Sequence, residues 1–143
     1  MKVKDIMSKN ISICKLDSTI YEVAKLMEKN NIGIIVIEDL KGVITDRDLI
    51  KPLINHDDKI EGYISNPVIT VNEEESALNA LKLMGKHKIK RLVVMNKDIV
   101  GVLSLSDIIN HVDDNLIIKT IKEIWSINDN KHEKSSEIDE FYL

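Results

Sequence analysis

The sequence predicts an α/β fold in which one β-α-β-β-α unit occurs twice with pseudo-twofold symmetry, followed by a C-terminal helix. Three observations carry this reading. First, Gly42-Val43-Ile44-Thr45-Asp46-Arg47-Asp48 returns as Gly101-Val102-Leu103-Ser104-Leu105-Ser106-Asp107: a glycine, two apolar residues, a hydroxyl, two variable residues and an aspartate. Second, Met27, Ile32 and Val36 recur as Met84, Ile89 and Val93 at a register of 57, whereas the signature aspartates stand 59 apart (107 against 48). Third, each copy alternates between short β-branched runs and the i, i+3, i+4, i+7 stripe of an amphipathic helix. Repeats of this kind decide the architecture before any single element does.

The elements follow in order. Each repeat opens with a short amphipathic piece, Val3-Lys4-Asp5-Ile6-Met7 or Ile60-Glu61-Gly62-Tyr63-Ile64. A brief strand comes next, Ile11-Ser12-Ile13-Cys14 or Val68-Ile69-Thr70-Val71. Asp17-Ser18 leads into a helix with Ile20, Val23, Ala24 and Met27 on one face. Its partner starts near Glu73-Glu74-Glu75-Ser76, acids suited to a first turn, and presents Ala77, Ala80, Leu81 and Met84. The runs Ile34-Ile35-Val36-Ile37 and Arg91-Leu92-Val93-Val94-Met95 read as buried strands. After turns at Asp39-Leu40-Lys41 and Asn96-Lys97-Asp98, the signature strand and its helix close the unit. The two extra residues of the second repeat are expected in the second of these turns, where an insertion is tolerated.

The boundaries are 1–57 for the first repeat, 58–114 for the second and 115–143 for a C-terminal helix and tail. One unit of this size buries too little surface to be comfortable alone, so the two are expected to share one core. Leu116, Ile117, Ile121, Ile124 and Trp125 predict a helix over 115–127. The polar composition beyond Asn128 predicts disorder, with Phe141-Tyr142-Leu143 at its end.

Composition narrows the function. The net charge is -4 and aromatics make up only 3%, which disfavours a general nucleic-acid binder and any base-stacking platform. A single cysteine, Cys14, excludes an intrachain disulfide and a cysteine zinc cluster, and fits a reducing compartment. No apolar run approaches the 18 or so residues of a spanning helix, and no signal-peptide h-region opens the chain. A soluble, cytoplasmic protein without a membrane partner is expected. His56, His87, His111 and His132 lie in different segments, and there is no P-loop or HExxH, so no catalytic residues or metal ligands are assigned.

The signature itself has two readings. A strand running into a helix start places unpaired N–H groups and a positive dipole end at the junction, which suits a phosphate. An aspartate three residues past the hydroxyl is placed to accept hydrogen bonds from the diol of a ribose. The same Thr/Ser-x-x-Asp spacing is also a capping box, in which the two side chains only satisfy the helix.

With both copies in view, residues 1–112 resemble the cystathionine-β-synthase (CBS) domain family, whose tandem pair is called a Bateman module. The resemblance implies one such module, and it implies an adenosine-containing ligand (AMP, ADP, ATP or S-adenosylmethionine) in place of any cofactor. It implies that the signature aspartate holds the ribose and that the hydroxyl lies near ribose or phosphate. On this basis site 1 comprises Ile11, Ser12, Ile13, Thr45, Arg47 and Asp48. Site 2 comprises Val68, Ile69, Thr70, Lys90, Arg91, Ser104, Ser106 and Asp107, and is the better equipped. The first strand of each repeat would line the base pocket, and the basic pair Lys90-Arg91 would face base or phosphates. The resemblance further implies a regulatory protein rather than an enzyme, a homodimer formed through helices, and a regulated partner protein. The alternative is a ligand-independent dimerisation or interaction module.

Overall fold

The computed structural model describes residues 1–129, with side chains described through residue 124. After α1 (Val3–Ile6), the first repeat runs β1 (Ile13–Cys14), α2 (Ile20–Asn30), β2 (Ile34–Ile37), β3 (Val43–Thr45) and α3 (Ile50–Ile54). The second runs β4 (Thr70–Asn72), α4 (Ala77–His87), β5 (Arg91–Asn96), β6 (Asp98–Ser104) and α5 (Leu105–His111), and α6 (Asp114–Asp129) follows. Each repeat forms a three-stranded sheet in sequence order, with its first pair parallel and its second antiparallel. Among the described residues no helix is long and apolar enough to cross a membrane.

Matched local chemistry sets matched elements. The Thr19 hydroxyl accepts from the Glu22 amide at 3.1 Å and caps α2; the Ser76 hydroxyl accepts from Asn79 at the same distance and caps α4. Both helices end on a left-handed residue, Asn31 (φ 50) and Lys88 (φ 55), which stops the helix and turns the chain toward the next strand. Val23 and Met27 of α2 are buried as the stripe predicts, but Ala24 is exposed.

The central strands β2 and β5 bury both faces, by period-two alternation. Ile35 and Ile37 of β2 join the core of their own repeat, as do Leu92 and Val94 of β5. Ile34 and Val93 point instead to the seam between the repeats, where they line a cavity. The expectation of one shared core is therefore corrected: the described residues form two hydrophobic clusters, one per sheet. A single repeat still cannot complete its own cluster. Val3 and Ile6, ahead of the first sheet, are packed in the cluster of the second repeat, and Ile60, ahead of the second sheet, is packed in that of the first.

Backbone hydrogen bonds fix this exchange. Ser8 and Val102 exchange N–H···O bonds at 2.9 Å each, and Ser65 and Val43 do the same at 2.9 and 3.0 Å. The signature glycines stand beside these contacts. A Cβ on Gly101 would lie 2.6 Å from the Ser8 carbonyl oxygen, and one on Gly42 would lie 2.8 Å from that of Ser65. Neither glycine is required for a positive φ; each is required because another backbone passes too close for a side chain.

The repeats also differ. The two extra residues of the second repeat lengthen β5 and β6 into a longer hairpin with an irregularity between Val94 and Met95, instead of enlarging a loop. α6 packs along α4, burying Ile117 and Thr120. Leu116, expected on the buried face, is 46% exposed, because Ile117, Thr120 and Ile121 form the inner stripe. The Trp125 side chain and the tail, with Phe141-Tyr142-Leu143, lie outside the described residues.

Two outcomes test the exchange. Gly101→Ala should lower stability by about 1–3 kcal/mol in urea denaturation, as overpacking does, with Gly42→Ala acting in the same direction; unchanged midpoints would show that the segments are not seated there. The second concerns Glu74, whose carboxylate takes Lys2 and Lys4 at 2.6 Å each and is held down to about 2 by those bonds. The folded-state value lies below the ordinary 4.5, so this tether is whole above that pH and is lost as the pH falls toward 2. Acid titration of stability should therefore be shallower in Glu74→Gln than in wild type, and identical curves would mean that the tether contributes nothing.

Candidate functional site

The cavity of most interest, about 460 Å³, lies at the seam and draws on both repeats. It falls within the roughly 300–1,000 Å³ of small-molecule sites. Thr45, Asp46, Arg47 and Asp48 come from the signature of the first repeat. Ser65, Val68 and Ile69 come from the segment leading into β4, Lys88 and Lys90 from the turn between α4 and β5, and Arg91 from the start of β5. Ile34, Val43, Ile89 and Val93 complete apolar walls. A second cavity, about 180 Å³, repeats the arrangement with the repeats exchanged. Ser104 and Asp107 of the second signature meet Ser8, Asn10 and Asn31 to Ile34 of the first repeat, together with Arg91.

The grouping by repeat that the sequence suggests is thus corrected. Thr45, Arg47 and Asp48 stand with Val68, Ile69, Lys90 and Arg91, whereas Ser104 and Asp107 stand across from the first repeat. The cause is the exchange at Ser8 and Ser65, which carries the lead segment of each repeat onto the signature strand of the other. Ile11, Ser12, Ile13, Thr70 and Ser106 line neither cavity. Ile13 pairs with Val36 at the sheet edge and is 53% exposed, and Thr70 and Ser106 are also exposed. The Ser12 hydroxyl is engaged by the Asn30 side-chain amide at 3.3 Å. Residues missed by the sequence reading include Asp46, Ile34, Gly33, Ser65 and Ser8. The serines carried a usable signal, being identical residues at the 57 register just ahead of each first strand.

The signature hydroxyls and aspartates do form capping boxes. The Thr45 amide donates to Asp48 Oδ2 at 2.9 Å while Thr45 Oγ1 accepts from the Asp48 amide at 3.3 Å. Ser104 and Asp107 repeat this at 2.8 and 3.1 Å. The cap does not exhaust the carboxylate, since an ionised aspartate offers about four lone-pair sites and the cap uses one oxygen. Capping holds each half-buried carboxylate in a fixed direction at its cavity.

Charge divides the two cavities. Lys88, Lys90, Arg47 and Arg91 line the larger with Asp46 and Asp48, whereas Arg91 and Asp107 are the only charged side chains among the described residues of the smaller. Arg91 Nη1 lies 3.6 Å from Asp46 Oδ1 across the seam. Cys14 does not enter either cavity, and burial pushes its thiol above the ordinary range, away from nucleophilic use. Among the described residues no group of three or more His, Cys, Asp or Glu could hold a metal ion.

Comparison with known proteins agrees with the repeat. The sequence profile of the CBS domain matches residues 3–55 and again 60–114. The chain belongs to the CBS domain family. Among relatives, the uncharacterized protein YlbB of Bacillus subtilis is 32% identical over 120 residues, covering 75% of this chain and 79% of its own length. The CBS domain-containing protein YhcV of the same organism is 32% identical over 114 residues, covering 74% of this chain and 81% of its own. A solved CBS domain pair, that of protein MJ0100 in complex with 5'-methylthioadenosine and S-adenosyl-L-methionine, superposes with a TM-score of 0.69 at 33% identity, covering 77% of this chain and 94% of that one. As a tandem CBS pair, the chain places both cavities where its two repeats meet.

Proposed function

We propose that this CBS pair is a regulatory module that binds an adenosine-containing ligand, AMP, ADP, ATP or S-adenosylmethionine, at the seam and relays occupancy to a partner protein. The observation that carries the reading is the composition of the larger cavity. A carboxylate held in place by its cap, apolar walls at Ile34, Val68 and Ile69, and cations at Lys90 and Arg91 lie around one space of about 460 Å³. These are the groups that a ribose, a base and a phosphate each require. The solved pair with methylthioadenosine and S-adenosylmethionine supports the ligand class. No nucleophile–base–orienter arrangement is invoked, and regulation rather than catalysis is proposed.

The larger cavity, built around Asp48, is proposed as the principal site. This reverses the order that the sequence alone favours, because the basic residues of the second repeat face the signature of the first. Carboxylate bonds to ribose hydroxyls are worth about 1.5–3 kcal/mol each. Asp48→Ala should therefore weaken the preferred ligand by about tenfold to a hundredfold, at 1.4 kcal/mol per decade, and Asp107→Ala by less. Calorimetric titration with AMP and S-adenosylmethionine measures both, and saturating ligand at 100 times Kd should stabilise the wild type by about 2.7 kcal/mol. Equal affinity in all three proteins, or no binding of either compound, would leave the signatures as caps only.

The interaction-module reading is favoured by one specific observation. Tyr21 on α2 and Ile50, Leu53 and Ile54 on α3 are all more than half exposed, whereas the corresponding side of α4 is covered by α6. We infer a homodimer joined through the helices of the first repeat, compatible with ligand binding. Light scattering at micromolar concentration should give a dimer mass, and Leu53→Asp with Ile54→Asp should give a monomer. A monomeric wild type, with and without AMP, would count against the interface.

A further inference from the structure

Arg91 stands where the pseudo-twofold sets a long cation against a short apolar residue. Its equivalent in the first repeat is Ile34, and the register makes the match plain: Ile34 pairs with Thr45, and Arg91 with Ser104. Arg91 belongs to the lining of both cavities, and its guanidinium stands between Gly33, which lines the smaller, and Asp46, which lines the larger. Gly33 makes the passage possible, since a Cβ there would lie 2.5 Å from Arg91 Nη2. Arg91 and Ile34 each line both cavities, and only Arg91 carries a charge.

We propose that Arg91 is a shared anion-binding element that couples the two cavities, so that a phosphate held in one weakens the binding of a phosphate in the other. This rests on the adenosine-ligand reading above. The guanidinium is a single group on one side chain, and when it swings toward a phosphate in one cavity to form paired, charge-assisted bonds it is withdrawn from the other. Its present partner holds it loosely: the Asp46 pair is 3.6 Å long, with Arg91 33% and Asp46 60% exposed, and such pairs are weak. An anion in the larger cavity draws the guanidinium to that side, and an anion in the smaller draws it back over Ser104 and Asp107. Linkage makes the effect reciprocal. An uncharged nucleoside makes no differential contact with the two positions and does not shift them. The larger cavity keeps Lys90 when Arg91 leaves, so the smaller depends on Arg91 more.

Calorimetry with AMP and with adenosine decides this in two backgrounds. Asp107→Ala leaves the larger cavity competent and Asp48→Ala the smaller, and each is made with and without Arg91→Ala. Arg91→Ala should weaken AMP in both backgrounds, by roughly tenfold or more in the smaller cavity and less in the larger, with adenosine nearly unchanged in both. AMP should also bind the smaller cavity more tightly in Asp48→Ala than in the second binding step of wild type. Gly33→Ala, which displaces the guanidinium without removing its charge, should change the ratio of AMP affinities between the two backgrounds. Should thermal melts show either alanine variant unfolded, Asp48→Asn and Asp107→Asn keep an acceptor for the cap and replace them. An Arg91→Ala effect confined to one background, or equal loss of AMP and adenosine, overturns the coupling alone. A wild type that binds neither AMP nor adenosine overturns the ligand reading and the coupling with it.

Discussion

The structure depends on two short backbone pairings, Ser8 with Val102 and Ser65 with Val43. Through them each repeat lays its leading segment on the signature strand of the other. The apolar side chains of those segments, Val3 and Ile6 on one side and Ile60 on the other, then complete clusters that the receiving repeat leaves open. The demand for glycine at 42 and 101 comes from the same approach, since a side chain there would collide with the visiting carbonyl. So does the position of the cavities. A signature from one repeat and a lead segment from the other meet only at the seam, and neither repeat alone lines a whole cavity.

Symmetry sets the frame, and departures from it give the two halves different properties. Where the first repeat places Gly33-Ile34, the second places Lys90-Arg91, so positive charge is concentrated on one side of the pseudo-twofold. The outer faces differ too. α6 covers α4, whereas its counterpart α2 keeps Tyr21 exposed, as α3 does Leu53 and Ile54. The two repeats thus share a backbone plan but present different chemistry, one with a basic pair at the seam and one with exposed apolar residues on its helices.

Most of the fold was legible because it rests on local and periodic signals. The stripe Ile20, Val23 and Met27, the buried runs at 34–37 and 91–95, and the matched caps all act over a few residues. Ala24 and Leu116 misled because a helix's apolar side chains outnumber those its neighbours can cover, and periodicity does not say which are left out. The site was legible in its parts and not in its grouping. Asp48 and Asp107 were marked by their repeat, but chain order assigns each signature to its own first strand. The exchange depends on contacts between residues far apart in the sequence, Ser8 with Val102 and Val43 with Ser65, between which no short motif reports. Ile13 and Thr70 mislead for the same reason: the sequence marks the strand itself as the pocket wall, whereas the residues ahead of it form that wall.

The exchange also orders events during synthesis. α1 leaves the ribosome before the two sheets, yet the cluster that receives Val3 and Ile6 is built from Val71, Leu81, Leu92, Leu103 and Ile108. The first helix has no native place to dock until nearly the whole module has emerged. The first repeat, in turn, lacks Ile60 until the chain has passed beyond it. Contacts of such long sequence separation slow folding, because loop closure must precede the burial that rewards it. Both clusters are complete only when each repeat has received the segment of the other.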